Sequence, residues 1–546
     1  MGRCELTPDH MAAANRPRRI VVNYDIWAFC CDAARAETHD AATLDRLIQP
    51  YMQWLDDAGN QLDSLWYCFG EGNTAHWPSR VLPVWKQYLP WFDAGLDPYA
   101  TLIAATRKRG REVFYSYRIN GIDENTDNIV EQEGKWPVSA LKQQRPDWLL
   151  DTLGNGKELK WNFAPDWVRK LKLDTLREVA ERYDVDGIEL DFARCTPVLP
   201  IGHQWEHREA LTDFMRQLRR SFQEIAARRG RPLVLAARIP ERIEGCHFDG
   251  IDIETWTAEN LLDILTLGIR SFDVDLAGYR RLTAGTHINL ISVYDAHHAS
   301  DGYKLALMTP EEARNVVRGV TANWWQQGAD GVQIFNFPAV SSRTDHWEVY
   351  RRLYREIGSA ATLLGKSKTF PVQRRAGGHP WFFGFPEQGL SQSLMYHNSN
   401  MLAWLPARLG VHGHNLTILP LSVGDDPNRG EAKPDIRLRL LVSDPGAVEL
   451  PAEARIEPGL IRRGPYGESE LRTQPPARET AQRIEVRLNN LALGAPRIEA
   501  GWLTYPVAPK QLATGTNLVG IRLADPESSP VTMEKVELSV VYPDET

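Results

Sequence analysis

The chain has 546 residues, too many for a single hydrophobic core, so two or more domains are expected. With 43% hydrophobic and 25% charged residues it has ordinary globular composition, which excludes wholesale disorder, and no apolar run reaches the ~18 residues of a membrane span. A net charge of −8, from 63 Lys and Arg against 71 Asp and Glu, argues against a nucleic-acid partner bound by phosphate neutralisation.

Residues 1–18 read as a flexible N-terminal segment. They hold no apolar core of a signal peptide, so the sequence as written points to the cytoplasm, or to a periplasmic or secreted location if a signal peptide was removed. From there short apolar runs alternate with longer helical patterns. The first expected strand, 19–28, carries Asp25 and ends near Trp27; the second, 64–69, carries Trp66 and Cys68, with Glu71 and Trp77 beyond it. The third, 112–118, ends on Arg118 and is followed by Asn120. A long interval, 119–186, then leads to the fourth strand, 187–192, with Arg194 just after it. Strands at 233–239 (with Arg238, and Glu241 following) and 262–267 come next. The seventh, 288–295, ends on Tyr294 and Asp295, with His297 and His298 beyond; the eighth, 331–337, includes Asn336.

Helices are expected between most of these runs, as at 211–229 and 310–327. The latter opens Thr309-Pro310-Glu311-Glu312, an N-cap, a first-turn proline and acids at the positive helix end. Eight such units fit a (β/α)8 TIM barrel, whose usual length is about 250 residues plus insertions, and no glycine-rich nucleotide loop supports an open doubly wound sheet. A last barrel helix is expected at 345–357. Beyond it, Gly and Pro punctuate short alternating runs at 435–442, 483–488 and 535–541, which read as an all-β, jelly-roll-like sandwich. The expected division is therefore 1–18, a barrel at 19–365 and a sandwich at 366–546.

Reactive groups of such a barrel gather at the C-terminal strand ends. Alternation along the fourth strand sends Gly187, Glu189 and Asp191 inward and Ile188, Leu190 and Phe192 toward the helices. Two acids inside a barrel are costly unless bonded, paired or functional. Glu189 sits deeper and reads as a supporting residue; Asp191 is nearer the rim. The six cysteines are scattered without metal-ligand spacing, and neither a metal nor another cofactor is expected.

The fourth-strand sequence YDVDGIELDFAR, with Trp161-Asn162-Phe163-Ala164 upstream, resembles glycosyl hydrolase-like (family-ten-like) barrels. Gly250-Ile251-Asp252-Ile253-Glu254-Thr255-Trp256 and Leu262-Asp263-Ile264-Leu265 are similar to the same group. The strand also resembles that of family-18 chitinases at Glu189 and Asp191, but Ala193 stands at the general-acid position, so a substrate-assisted mechanism is not expected. The resemblance implies a glycoside hydrolase fold and a poly- or oligosaccharide substrate. Trp, at 18, outnumbers Tyr and Phe, and flat aromatic faces suit sugar rings as well as cores.

A glycosidase needs a second carboxylate, about 5–5.5 Å away for retention or ~6.5–9.5 Å for inversion. The order of candidates to partner Asp191 is Asp295, Glu241, Asp25 and Glu71. Expected substrate contacts are Glu189, Arg118, Arg194, Arg238, Asn120, Trp27, Trp66, Tyr294 and Asn336, with Trp77 a further aromatic platform. The arginines either hold an acidic sugar or neutralise the inward acids. Two other functions remain open: a non-catalytic carbohydrate-binding barrel, favoured by Ala193, and a polysaccharide lyase using Arg118 and Tyr294. The oligomeric state is not set by the sequence.

Overall fold

The computed structural model describes residues 2–69, 74–120, 140–151, 159–193, 196–268, 271–295, 303, 308–335, 344–374, 403–411, 413–426, 429, 433–444, 460–463, 468–471, 478–499, 502–525 and 527–543. Contacts divide the chain into two compact units. The first comprises Met1–Ile269, Val274–Val293 and Asp330–Ser341; the second comprises Arg270–Asp273, Tyr294–Ala329 and Ser342–Thr546.

Eight parallel strands close into a barrel: β1 (Ile20–Asp25), β2 (Leu62–Cys68), β3 (Glu112–Arg118), β4 (Gly187–Asp191), β5 (Val234–Ile239), β6 (Ile264–Leu267), β7 (Asn289–Asp295) and β8 (Gly331–Phe335). All eight expected strands are present, most within a residue or two of their expected ends. The helix Arg208–Arg229 lies between β4 and β5, and its chain reverses at Gly230, which holds φ +70°. Between β3 and β4 a short antiparallel hairpin pairs Leu149–Asp151 with Leu159–Trp161, ahead of the helix Asp166–Arg182.

The N-terminal end of the barrel is filled by Val21, Trp66, Phe114, Val234, Ala236, Ile264 and Ile291, with Ala13 packed against them. Trp66 stacks on Phe114 at 4.6 Å and 5°. That stack needs a glycine on β4, since a Cβ at Gly187 would stand 2.4 Å from the Phe114 ring and 2.6 Å from the Val234 carbonyl oxygen. Residues 1–18, expected to be flexible, instead contain a helix, Pro8–Ala14, capped by Thr7. Its His10 joins a buried network in which Asp263 accepts two hydrogen bonds from Arg219 (2.8 and 3.0 Å), one each from His10 (3.0 Å) and His287 (2.8 Å), and one from the Leu235 amide (2.8 Å). Arg18 likewise clasps Glu112 through two 2.7 Å bonds. These contacts order the segment because buried charges are tolerated only when fully paired.

In the second unit, the helix Pro310–Gln326 carries the expected Thr309/Glu312 capping box. It lies so close to the strand Lys368–Pro371 that a Cβ at Gly319 would meet the Thr369 carbonyl at 2.0 Å. One antiparallel sheet joins Lys368–Pro371, Val531–Val541, Asp435–Ser443, Trp502–Pro506 and Arg497–Glu499, with Ala407–Leu409 also on Val531–Val541. A second joins Leu416–Val423, Gly515–Leu523, Ile484–Leu488 and Leu491–Ala492. Strict alternation of buried and exposed residues along Ile484–Leu488 gives that sheet one apolar face, as a sandwich requires. Among the described residues no helix is long and apolar enough to cross a membrane.

Candidate active site

The inward residues of the strands build two polar layers above the apolar end. The deeper layer centres on Glu189. Its Oε2 accepts from Asn23 Nδ2 (2.6 Å) and Ser116 Oγ (2.7 Å), and its Oε1 accepts from Thr266 Oγ1 (2.7 Å) and Gln333 Nε2 (3.4 Å). Asn23, Ser116, Thr266 and Gln333 come from four strands and are all fully or almost fully buried. Burial first, and the neighbouring Asp191 second, push the Glu189 carboxyl up to about 7, against the bonds from Ser116 and Thr266 and the charge of Arg238.

One level closer to the rim, strand register sets Arg118 opposite Asp191 and Asp191 opposite Arg238. Arg238 donates to Asp191 Oδ2 at 3.3 Å and to the Gly268 carbonyl at 3.0 Å, while the Ala193 amide donates to Asp191 Oδ1 at 3.0 Å. Arg118 donates to Asp25 Oδ2 at 2.9 Å. Both guanidiniums lie over Phe335, at 3.8 Å for Arg238 and 5.8 Å for Arg118. Asp191 is fully buried, whereas the Asp25 side chain is 24% exposed, so Asp25 is the more open carboxylate of the two. The arrangement is a row of alternating charge in which Arg118 bonds Asp25 and Arg238 bonds Asp191. It can polarise a bound hydroxyl and present carboxylate oxygens to a ligand entering at the C-terminal end.

Glu241, two residues past β5, is also fully buried; an added Cβ at Gly268 would lie 3.9 Å from its Cγ. Tyr294 and Asp295, the last residues of β7, group with the second unit. Asp295 is buried beside the ionisable Tyr294 and Tyr350.

Several expected ligand contacts are used otherwise. Trp66 is wholly buried in the apolar barrel end and offers no face to a sugar. Trp77 is buried and donates to Glu178 Oε2 at 2.8 Å. Tyr294 is buried and stacks on Phe272 at 5.8 Å and 7°, on the side of β7 away from the barrel axis. Asn120 is buried with its amide committed to backbone: Oδ1 accepts from the Trp161 amide (2.7 Å) and Nδ2 donates to the Pro197 carbonyl (3.4 Å). Trp27 opens the helix Trp27–Ala34, but its side chain lies outside the described residues, as do Glu71, Arg194, His297, His298 and Asn336.

The sequence reading missed Asn23, Ser116, Thr266, Gln333 and Phe335. The polar four carried a signal, since each is a polar residue at a position of a barrel strand that alternation turns inward. Phe335 carried none, because an aromatic at a strand end is ordinary core.

No curated protein matches the chain. Among solved structures it is similar to alpha-L-fucosidase isoenzyme 2 from Paenibacillus thiaminolyticus, at 15% identity and TM-score 0.40, over 66% of this chain and 51% of that one. It is also similar to the GH36 alpha-galactosidase AgaA from Geobacillus stearothermophilus (10% identity, TM-score 0.34, 93% of this chain, 56% of that one). A third is the noncanonic maltogenic alpha-amylase AmyB from Thermotoga neapolitana (9%, TM-score 0.34, 93% and 99%). The chain thus spans little over half the length of the first two. The motifs at 250–256 and 262–265 lie beyond the stretch that a family model covers. That stretch, residues 40–202, contains β2, β3 and β4 with Glu189 and Asp191, and it matches the model of the glycosyl hydrolase-like 10 family.

Proposed function

We propose that the barrel is a glycoside hydrolase that degrades a poly- or oligosaccharide through carboxylates at the C-terminal strand ends. The observation that carries the reading is the registered row Arg118–Asp191–Arg238, which stands above a fully bonded Glu189 in a glycosyl hydrolase-like strand. In this reading Asp191 is the acid/base, held in place by Arg238 and the Ala193 amide. Glu241, at the end of the adjacent strand, is the nucleophile or water-activating base, with Asp295 the alternative for that role. Arg118 and Asp25 bind substrate hydroxyls, and Glu189 positions Asp191 from below. No metal or other cofactor takes part in it.

A non-catalytic carbohydrate-binding barrel is the second reading, favoured by the complete burial of Asp191 and by Ala193. One experiment separates them. Wild type, Asp191→Asn, Glu241→Gln and Asp295→Asn are incubated with neutral, uronic and sulfated oligosaccharides, and products are read by mass spectrometry. Wild-type products that fall by about 10²–10⁴-fold in Asp191→Asn support the hydrolase, the range expected for loss of a general acid/base. Full activity in Asp191→Asn removes Asp191 from the mechanism. Binding without products from wild type favours the second reading, and an unsaturated product moves the assignment to a lyase.

A further inference from the structure

Three tryptophans between β3 and β4 form a stepped stack that leads from the interior to the surface. Trp161, on the hairpin, is fully buried; Trp148 lies 6.4 Å from it at 48°; Trp167 lies 6.2 Å from Trp148 at 27° and is 50% exposed. The base of the stack is held firmly. The Trp161 amide donates to Asn120, its register partner is Leu149, and Lys142 and Lys172 lie 5.4 and 5.2 Å from its ring. Lys172 also donates to the Tyr117 hydroxyl at 2.9 Å, which ties the helix Asp166–Arg182 to β3. Cations over indole faces stabilise such a base.

At the open end, Arg145 sits 4.0 Å over the Trp148 ring and donates to Asp147 through two bonds of 3.1 and 2.7 Å. The pair is exposed and carries no net charge. The helix that bears Trp167 starts after the hairpin and runs back toward the start of β4, so Trp167 stands at the barrel end where β3 and β4 finish, the end that holds Arg118 and Asp191.

We propose that Trp167, backed by Trp148 with the Arg145–Asp147 pair next along the same stack, is an outer subsite that stacks on a neutral pyranose ring of a saccharide chain; the inference rests on the carbohydrate reading above. Packing accounts for Trp161 and for part of Trp148, but not for a half-exposed indole held on a rigid base. A flat apolar face with a donor–acceptor pair on the neighbouring indole matches a pyranose, which has an apolar face and a rim of hydroxyls. The neutral charge of the pair favours an uncharged sugar over a uronate or a sulfate ester.

The test is native gel electrophoresis of the full chain, made inert by Asp191→Asn, through gels cast with hydroxyethylcellulose, galactomannan, arabinoxylan or dextran. At least one polymer should retard it, and Trp167→Ala in the same background should weaken that retention about tenfold, the loss typical of truncating a stacked aromatic anchor. Its thermal midpoint should not move. Trp404→Ala, which removes a similarly exposed indole from the other unit, should leave retention intact. Equal retention of parent and Trp167→Ala overturns the subsite. So does absence of retention by every polymer. The wider reading is decided separately by wild type on the neutral, uronic and sulfated oligosaccharides: products or binding there without retention in the gels remove the subsite alone, whereas absence of products, binding and retention together removes both.

Discussion

Replacing Glu189 by Gln tests the central layer directly, because the two side chains are isosteric and differ in whether a buried charge must form. The Glu189 carboxyl is raised from 4.5 to about 7, with burial the largest cause. A folded-state value above the unfolded one gives stability that is fully present below about 4.5 and is lost as pH rises through about 7. The difference is worth about 3 kcal/mol at pH 8. Glutamine avoids that cost. Its amide group needs an acceptor where the carboxylate had only donors, and Asn23 Oδ1 and Gln333 Oε1 make no hydrogen bond among the described residues. Turning over either amide supplies the acceptor. Thermal unfolding followed by fluorescence at pH 5, 6, 7 and 8 should therefore find wild type and Glu189→Gln melting close together at pH 5. By pH 8 the variant should be the more stable by on the order of 5 °C, given roughly 2 °C per kcal/mol for a unit of this size. A difference that stays constant from pH 5 to pH 8 would refute the reasoning, since it would mean that the folded Glu189 carboxyl is already ionised at pH 5 and is not raised by its burial.

Asp263→Ala should destabilise the first unit by about 3–5 kcal/mol in urea unfolding, because it leaves Arg219 charged and buried without its partner. Burial would raise the Asp263 carboxyl, but the Arg219 charge and the bonds from His10 and His287 hold it well below the usual range. That stabilisation is present above about 3.8 and is lost as pH falls, so the gap between wild type and variant should close in acid; an acid-independent gap would count against the network. Gly187→Ala should cost roughly 1–3 kcal/mol through overpacking against Phe114 and Val234, and Gly187→Ala with Phe114→Leu should recover part of it. No recovery in the double variant would show that the Val234 carbonyl, not the ring, sets the limit.

Much of this fold was legible in one dimension. Short apolar runs between helical patterns located all eight barrel strands, and alternation along the fourth turned Glu189 and Asp191 inward, because side-chain direction along a strand is a local property. The Thr309 cap and the Asp435–Ser443 strand are local in the same sense. The candidate site was legible only by position. Arg118, Asp191 and Arg238 could be placed near strand ends, but their order as neighbours follows from the register of three strands separated by more than forty residues each. Trp66 and Tyr294 looked like surface platforms near strand ends. Register carried Trp66 into the apolar barrel end, and alternation put Tyr294 on the helix-facing side of β7.

The sequence by itself determined the elements, their order and the inward-facing acids, since these depend on residues within a few positions of one another. Only the tertiary structure decided which groups meet. It brought Asn23, Ser116, Thr266 and Gln333 onto Glu189, and His10, Arg219 and His287 onto Asp263. Those meetings arise from barrel closure, and closure is a property of the whole set of strands that no single segment encodes.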